Sequence, residues 1–590
     1  MIPFLWPLID RWLTDSEPPL AVGAAAFAYS SGLLAAVMMF AGLLPGAHIT
    51  LWLVLVVMLG CFAIGLVVNP TWFAPRCWVR YWKSQWNRLR TLDIDGLLLF
   101  ALLMVGAVIL IFCLHYPFLG DDTLSRYGLQ AQLIYRSGHI PQDVVGYPPL
   151  APLSFTSTWL LVGGPNEHLA RLFPAMTAMG TLASVYLVGR EIADRRAGLL
   201  AAAFVGLAPM FVRNATIAYT DIPTTFPLIL MVYFLLRWWK EPTARAALLA
   251  GLAAATAVLT KQSALTWLVS AAAVPLVWWI SGRLSVDRLG RGLTAVLLIA
   301  LPVILLAGPW YLRNWQLTGV VLPIAGLYHL LEPGAGIWGL IPPLAAIRDF
   351  GLVLVPIYVF GWLYGFWQAG VEGIAILRQK QLERPDHLLL AVFIFPYWLA
   401  WWTTFSFDTR FLLLLQPLMA VWPAVGLRWP LERILHVRVL RYVGAGLLAA
   451  ALFIAVEPRL GGVYYTITQP FATTQERLVR AKGDEMRLLG YIRTNLDPAT
   501  ERLLLMDGRM AYYLLDYDVT VAYPRSLRMV ASYDYVVHAS SMYTIYESEL
   551  RLDDSEFWQH AWDPAYFEPV FESGGVHVMR VVQTVSEEDR

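Results

Sequence analysis

The chain has 590 residues, of which 58% are hydrophobic and only 14% charged. A soluble domain carries about 25% charged residues, so this composition, with repeated apolar runs of bilayer-crossing length, defines an integral membrane protein. The formal net charge of +1 says nothing about nucleic acid, and there is no basic tail or basic run; three scattered cysteines (Cys61, Cys77, Cys113) are too few for a disulfide framework or a cysteine zinc site.

The N-terminal stretch 1–20 lacks a basic head, an apolar core and a small-residue cleavage site, so it does not read as a signal peptide. About thirteen apolar spans follow, near 21–44, 49–68, 96–116, 167–188, 197–212, 222–238, 244–260, 263–281, 293–311, 350–369, 387–404, 410–427 and 439–456. The expected fold is therefore a polytopic α-helical membrane protein. Basic residues gather in every second connection: 69–95 with Arg76, Arg80, Lys83, Arg88 and Arg90, then Arg190, Arg195 and Arg196, and then Arg237, Lys240 and Arg245. The pattern continues through Arg283, Arg288 and Arg291, Arg378, Lys380 and Arg384, and finally Arg428, Arg433, Arg438 and Arg441. The positive-inside rule puts these connections and the N-terminus in the cytoplasm. The alternate connections, 117–166, 212–221, 261–262, 312–349 and 405–409, then face outward.

The first outer loop is the longest polar stretch of the membrane region. Leu124, Tyr127, Ala131 and Ile134 recur at helical spacing, which predicts a short interfacial helix stopped by Gly138 and Pro141. After Val456 the charges return on an amphipathic helix near 473–495. Short apolar runs at 502–507, 533–538 and 576–582 then predict strands of a small α/β domain. An odd number of spans puts this domain outside. It has no glycine-rich phosphate fingerprint. The expected organisation is 1–95 with two extra spans and a basic loop, 96–460 as the membrane module, and 461–590 as the extracytoplasmic domain.

Four groups of residues can carry chemistry. Asp121 and Asp122 open the first outer loop. One Asp caps a helix, and Arg126 stands four residues after Asp122, in pairing distance on a helix. A second adjacent carboxylate is costly unless a cation, a metal or a substrate compensates it. A half-desolvated carboxylate also suits general-base work on a hydroxyl or amine. Asp221 opens a later span just before Pro223, again at a capping position. Lys261, Arg313 and Arg410 are cations at outer helix ends, where isolated snorkelling and phosphate neutralisation are the competing readings. Tyr147-Pro148-Pro149-Leu150 closes the first loop as a rigid turn. Asn214-Ala215-Thr216 matches a glycosylation acceptor but lies against the membrane.

On these residues the chain resembles the C-type membrane glycosyltransferases, which include the protein O-mannosyltransferases and the aminoarabinose transferases of lipid A. That superfamily has an acidic pair after its first core helix, here Asp121-Asp122 where Asp-Glu is commoner. A Lys- or His-Pro-Pro-Leu segment closes the loop, here with Tyr147 in the basic position. A second acidic site opens a later helix, here Asp221. The runs Gly308-Pro309-Trp310-Tyr311-Leu312-Arg313-Asn314-Trp315 and Arg410-Phe411-Leu412-Leu413 are also similar to bacterial relatives. The resemblance covers about 96–430. It implies a sugar donor linked to polyprenyl phosphate, transfer with inversion at the outer face, and an acceptor that is a lipid, a glycan or a protein. It also implies Asp121 as general base. Asp122 and Asp221 would orient the donor or, with Asp121, hold a divalent cation (Mg or Mn). Arg126, Lys261, Arg313 and Arg410 would bind the donor phosphate, and Tyr127, Tyr147, Pro148 and Pro149 would form the substrate loop. The rival classes are a polyprenyl-lipid flippase or transporter, an oligosaccharide polymerase or ligase, and a structural anchor. Charge-poor spans with acids at their outer edges favour the enzyme over the transporter.

Overall fold

The computed structural model describes residues 3–13, 17–70, 94–281, 285–322, 348–378, 385–402, 408–435, 437–539, 556–560 and 563–582. Most of the basic connection 69–95, most of the loop 312–349, and Arg283, Lys380 and Arg384 lie outside these residues. The chain divides into two compact units, one formed by 1–114 with 134–468 and the other by 115–133 with 469–590.

The first unit is helical. Eight described helices have the length and apolarity to cross a bilayer: Pro19–Leu43, Leu51–Val68, Ile94–His115, Glu167–Ile192, Asp221–Lys240, Gln262–Ser281, Val286–Leu306 and Val439–Thr468. A ninth is counted if Arg195–Gly206 and Pro209–Ala215, bent by 71°, form one span. The bend has a local cause: Ala208, before a proline at the helix start, is extended at φ −81° and ψ 125°. All thirteen expected segments contain helix, but fewer meet the length and apolarity of a span. Ala244–Thr260 and Asp386–Ala400 are short, and the expected 293–311 breaks at Ala307 into Val286–Leu306 and Gly308–Thr318. The segment near 410–427 begins as a 3-10 turn, Thr409–Leu414, before Gln416–Leu435.

Burial separates centre from rim. In the most apolar stretch of Asp221–Lys240, 94% of residues are buried inside the protein, against 17% for Leu51–Val68. The central helix packs against the alanine-rich Ala244–Thr260, whose small side chains let backbones approach. A Cβ on Gly251 would come within 2.5 Å of the Leu298 carbonyl, and one on Gly365 within 1.9 Å of Trp422. Gly365→Val is therefore expected to lower the thermal unfolding midpoint in detergent. Overpacking of this kind costs about 1–3 kcal/mol or more, and an unchanged midpoint would contradict the packing.

The loop 117–166 holds more helix than the sequence predicts. The expected amphipathic segment forms as a five-residue π turn, Thr123–Tyr127, running into Gly128–Ser137, and ends at Gly138 with φ 70°. Leu124, Tyr127, Ala131 and Ile134 are all buried. A further buried helix, Leu150–Val162, starts after Pro149. Its Ser and Thr side chains return hydrogen bonds to the helix itself, Ser154 Oγ to the Leu150 carbonyl at 2.7 Å and Thr156 Oγ1 to Pro152 at 3.0 Å. That self-satisfaction allows polar residues to be buried.

The second unit contains a five-stranded sheet. Strands β1 (Arg502–Leu505), β2 (Asp518–Val521), β3 (Tyr535–Ala539), β4 (Phe567–Ser573) and β5 (Val576–Val581) lie in the order β2-β1-β3-β5-β4. β1 is parallel to β2 and β3, while β5 runs antiparallel to β3 and β4. The three expected strands are β1, β3 and β5; β2 and β4 are additions. Alternation on β1 feeds two cores. Leu503 and Leu505 pack with Leu488, Leu489 and Ile492, while Leu504 packs with Val530, Val536 and Phe557. Gly574 and Gly575, both at positive φ, close the β4–β5 hairpin. The expected helix near 473–495 is two helices, Thr474–Ala481 and Gly483–Asn495, with Lys482 between them in a non-helical conformation (φ −144°, ψ 53°).

Buried His538 on β3 gives this unit a pH dependence. Its ring faces Trp558 and His577. Burial, helped by His577 and opposed by Asp507, pushes its pKa down to about 4. An unfolded His titrates near 6.5. The unfolded chain thus binds the extra proton between pH 6.5 and 4, so the stability present above pH 6.5 falls as pH drops through that window, by about 3 kcal/mol in all. Unfolding midpoints at pH 8 and pH 5 should differ in the wild type and converge in His538→Phe; equal slopes in both would refute the assignment.

Candidate active site

Each unit builds one polar cluster from the residues singled out above. In the second unit the acidic pair opens the π turn. Asp122 makes no side-chain cap; its carboxylate lies 3.9 Å from Arg126, an exposed and weak pair. Tyr127 is buried. The Asp121 side chain is 53% exposed, and its Oδ1 lies 3.0 Å from Arg509 Nη1 and 3.6 Å from Lys482 Nζ. Arg509 in turn donates to both oxygens of Asp507, at 2.9 and 2.8 Å from Nε, and approaches Glu485 at 3.2 Å. The capping role open to an isolated Asp is thus replaced, at Asp121, by a charged contact across the unit.

In the first unit, Asp221 begins the central helix and is nearly fully buried. Its Oδ1 accepts from Lys261 Nζ at 2.6 Å, and Arg410 Nε lies 3.8 Å from Oδ2. Lys261 ends Ala244–Thr260 in an extended conformation, and Arg410 sits in the 3-10 turn. Both cations stand over Phe411, at 4.8 and 5.3 Å, and Arg410 also over Tyr219 at 4.8 Å, so cation–π attraction supplements the ion pairs. Asp408 accepts the Arg410 backbone N–H at 2.8 Å, and its Oδ2 lies 3.3 Å from Arg410 Nε as an ion pair. The structure thus brings together Asp221, Lys261 and Arg410, residues widely separated in sequence.

Arg313 is placed differently. It donates to the carbonyls of Val144 at 2.7 Å and Pro141 at 2.6 Å. Trp310 Nε1 and the Asn314 amide hold the Gly146 carbonyl at 3.2 and 3.3 Å. The Gly308–Thr318 helix therefore clamps the backbone just before Tyr147. Tyr147 is half-buried, and Pro148 and Pro149 are buried.

Two features escaped the sequence reading. Asp349 is fully buried and receives Arg213 Nη2 at 2.8 Å, Arg348 Nε at 2.9 Å and the Thr409 hydroxyl. Burial would raise its carboxyl, but these hydrogen bonds from Arg348, Thr409 and Arg213 hold it below the usual range. Thr409 adjoins Arg410, which ties Asp349 to the Asp221 cluster. The available signal was an acid opening a span, the same one that marked Asp221. Buried Arg171 and half-buried Arg459 also meet at Thr216, both over Phe112.

Neither cluster by itself supplies the donors a divalent ion needs. No group of three or more His, Cys, Asp or Glu side chains suited to a metal occurs among the described residues. Asp221 and Asp121 each face two cations, which disfavours a metal ion there.

The described residues form a multi-pass helical module and a small α/β unit. Residues 147–310 match the family described as dolichyl-phosphate-mannose-protein mannosyltransferase. ArnT from Cupriavidus metallidurans bound to undecaprenyl phosphate is similar in structure, with a TM-score of 0.51 and 15% identity over 83% of this chain and 99% of that one. The archaeal oligosaccharyltransferase AglB from Archaeoglobus fulgidus, in complex with an inhibitory peptide and a dolichol-phosphate, gives a TM-score of 0.50 at 12% identity. That likeness covers 82% of this chain and 74% of that one. No curated protein matches in sequence. The resemblance read from short motifs thus returns in a family match and in the fold.

Proposed function

We propose that this protein moves a sugar from a polyprenyl-phosphate donor to an acceptor at the outer face of the membrane, with inversion. The observation that carries the reading is Asp121, a solvent-open carboxylate on which, among the described residues, the cations meet Oδ1 alone. Asp121 takes the proton of the acceptor hydroxyl or amine as that atom attacks the anomeric carbon. The sugar–phosphate bond breaks on the opposite side, and the lipid phosphate leaves with the electron pair. Asp221 fixes Lys261 and Arg410, the cations assigned to the departing phosphate; preorganised charges of this kind stabilise a transition state without reorganising. Arg126 is a further candidate for that role. Arg313 holds the loop before Tyr147, Pro148 and Pro149. Asp122 orients the donor. Two structural neighbours carry a polyprenyl-type phosphate by their own descriptions, which supports the donor class.

The test is the purified wild type in proteoliposomes holding radiolabelled polyprenyl-phosphate sugars. Label transferred to a co-reconstituted acceptor lipid or peptide fraction supports the reading. Label that crosses the bilayer still attached to its lipid, with no transfer, would replace it by the flippase reading. Activity confined to oligosaccharide donors would identify a polymerase or ligase.

A further inference from the structure

We propose that Arg509, in the C-terminal domain, is a positioning residue for Asp121, so that the domain is a working part of the active-site loop. This rests on the base role given to Asp121. The observations lie within one compact unit, which joins 115–133 to 469–590. The π turn Thr123–Tyr127 packs on the short helix Gly508–Ala511. The approach is close: a Cβ on Gly508 would stand 3.4 Å from Ser125 Cβ, and Phe118 meets Tyr512 edge-on at 6.1 Å between centroids.

Arg509 is itself immobilised. Only 6% of its side chain is exposed, and its guanidinium is forked onto Asp507, which is fully buried. Asp507 is fixed at the end of β1, where its Oδ1 accepts the Arg509 backbone N–H at 2.9 Å. Nη1 therefore points at Glu485 and at Asp121 Oδ1 from a rigid base. The planar fork gives direction as well as charge. Lys482, the break between two helices, reaches the same Oδ1 and Glu485. Both cations fall on Oδ1, and among the described residues no hydrogen bond or ion pair reaches Oδ2. Oδ2 is the oxygen this arrangement presents to the acceptor.

The test uses the full chain in proteoliposomes with the same labelled donor. Asp507→Asn/Arg509→Gln removes both charges of the buried pair together, which avoids stranding one of them. Its kcat should fall on the order of 100-fold, as for a misplaced reacting group, while the donor KM stays within about twofold. Arg509→Lys keeps the charge but loses the fork, so its kcat should be intermediate; it carries the test should the double variant unfold. Adding Asp121→Asn to Asp507→Asn/Arg509→Gln should cost less than its effect in the wild type, since the groups act as one unit. Wild-type kcat in the folded double variant or in Arg509→Lys, with Asp121→Asn inactive, would overturn this inference alone. Normal transfer by Asp121→Asn would overturn the base assignment, and this inference with it.

Discussion

Asp121→Asn is expected to reduce kcat on the order of 10²–10⁴-fold, the range that general-base catalysis supplies. Asn keeps the shape of the side chain and an oxygen for Arg509, so the loop should stay in place. What it loses is the capacity to take a proton. The fall should therefore appear in kcat, with donor KM nearly unchanged, because the donor phosphate is assigned to other residues. Folding should be little affected: the Asp121 side chain is 53% exposed, and Arg509 retains Asp507 and Glu485 as partners. The measurement is single-turnover transfer with saturating donor, alongside the thermal midpoint. A kcat within a few-fold of wild type would remove Asp121 from the chemistry. A change in donor KM alone would assign it to binding.

What was legible in the sequence depended on contrast with the surroundings. Asp221, Lys261 and Arg410 stand out because charges are rare at the ends of apolar spans, and they meet because each ends or begins a segment at the same cluster. Their pairing was not legible. Lys261 lies 40 residues from Asp221, and only the packing of Asp221–Lys240 against Ala244–Thr260 fixes that they touch. Arg509 was invisible for the opposite reason. It lies 388 residues from Asp121 in sequence, in a tail where arginines are ordinary. Asp349 carried the same signal as Asp221 but was passed over at the end of a long Gly- and Pro-rich loop. In the second unit, β1 showed itself as an apolar run, whereas β2, Asp-Val-Thr-Val at the sheet edge, is partly exposed along its length and carries little hydrophobic pattern. Helix Leu150–Val162 was hidden because its Ser and Thr residues read as loop until their hydrogen bonds are known. The span count differs because several segments reach the needed length only with proline breaks or 3-10 turns.

The Asp221–Lys261 pair gives the second large effect, and it separates structure from function. Asp221→Asn leaves the Lys261 ammonium, 8% exposed, without its carboxylate. Breaking one half of a buried pair costs about 3–5 kcal/mol, so this variant should lose both stability and transfer. That result alone would not assign a catalytic role. Replacing both partners, as in Asp221→Asn/Lys261→Met, removes the stranded charge, and such replacements are often neutral for folding. Arg410 keeps Asp408 as its partner in that background. The thermal midpoint of the double variant should return close to wild type. Transfer should not return, because a cation assigned to the departing phosphate is gone; losing one preorganised contact of this kind costs on the order of 10²–10³-fold in kcat. Recovery of both midpoint and transfer would make the pair a packing device of the central helix and leave Arg410 and Arg126 to face the phosphate. Recovery of the midpoint without transfer would fix the Asp221–Lys261 pair in the site, because a purely structural pair has no route to that outcome.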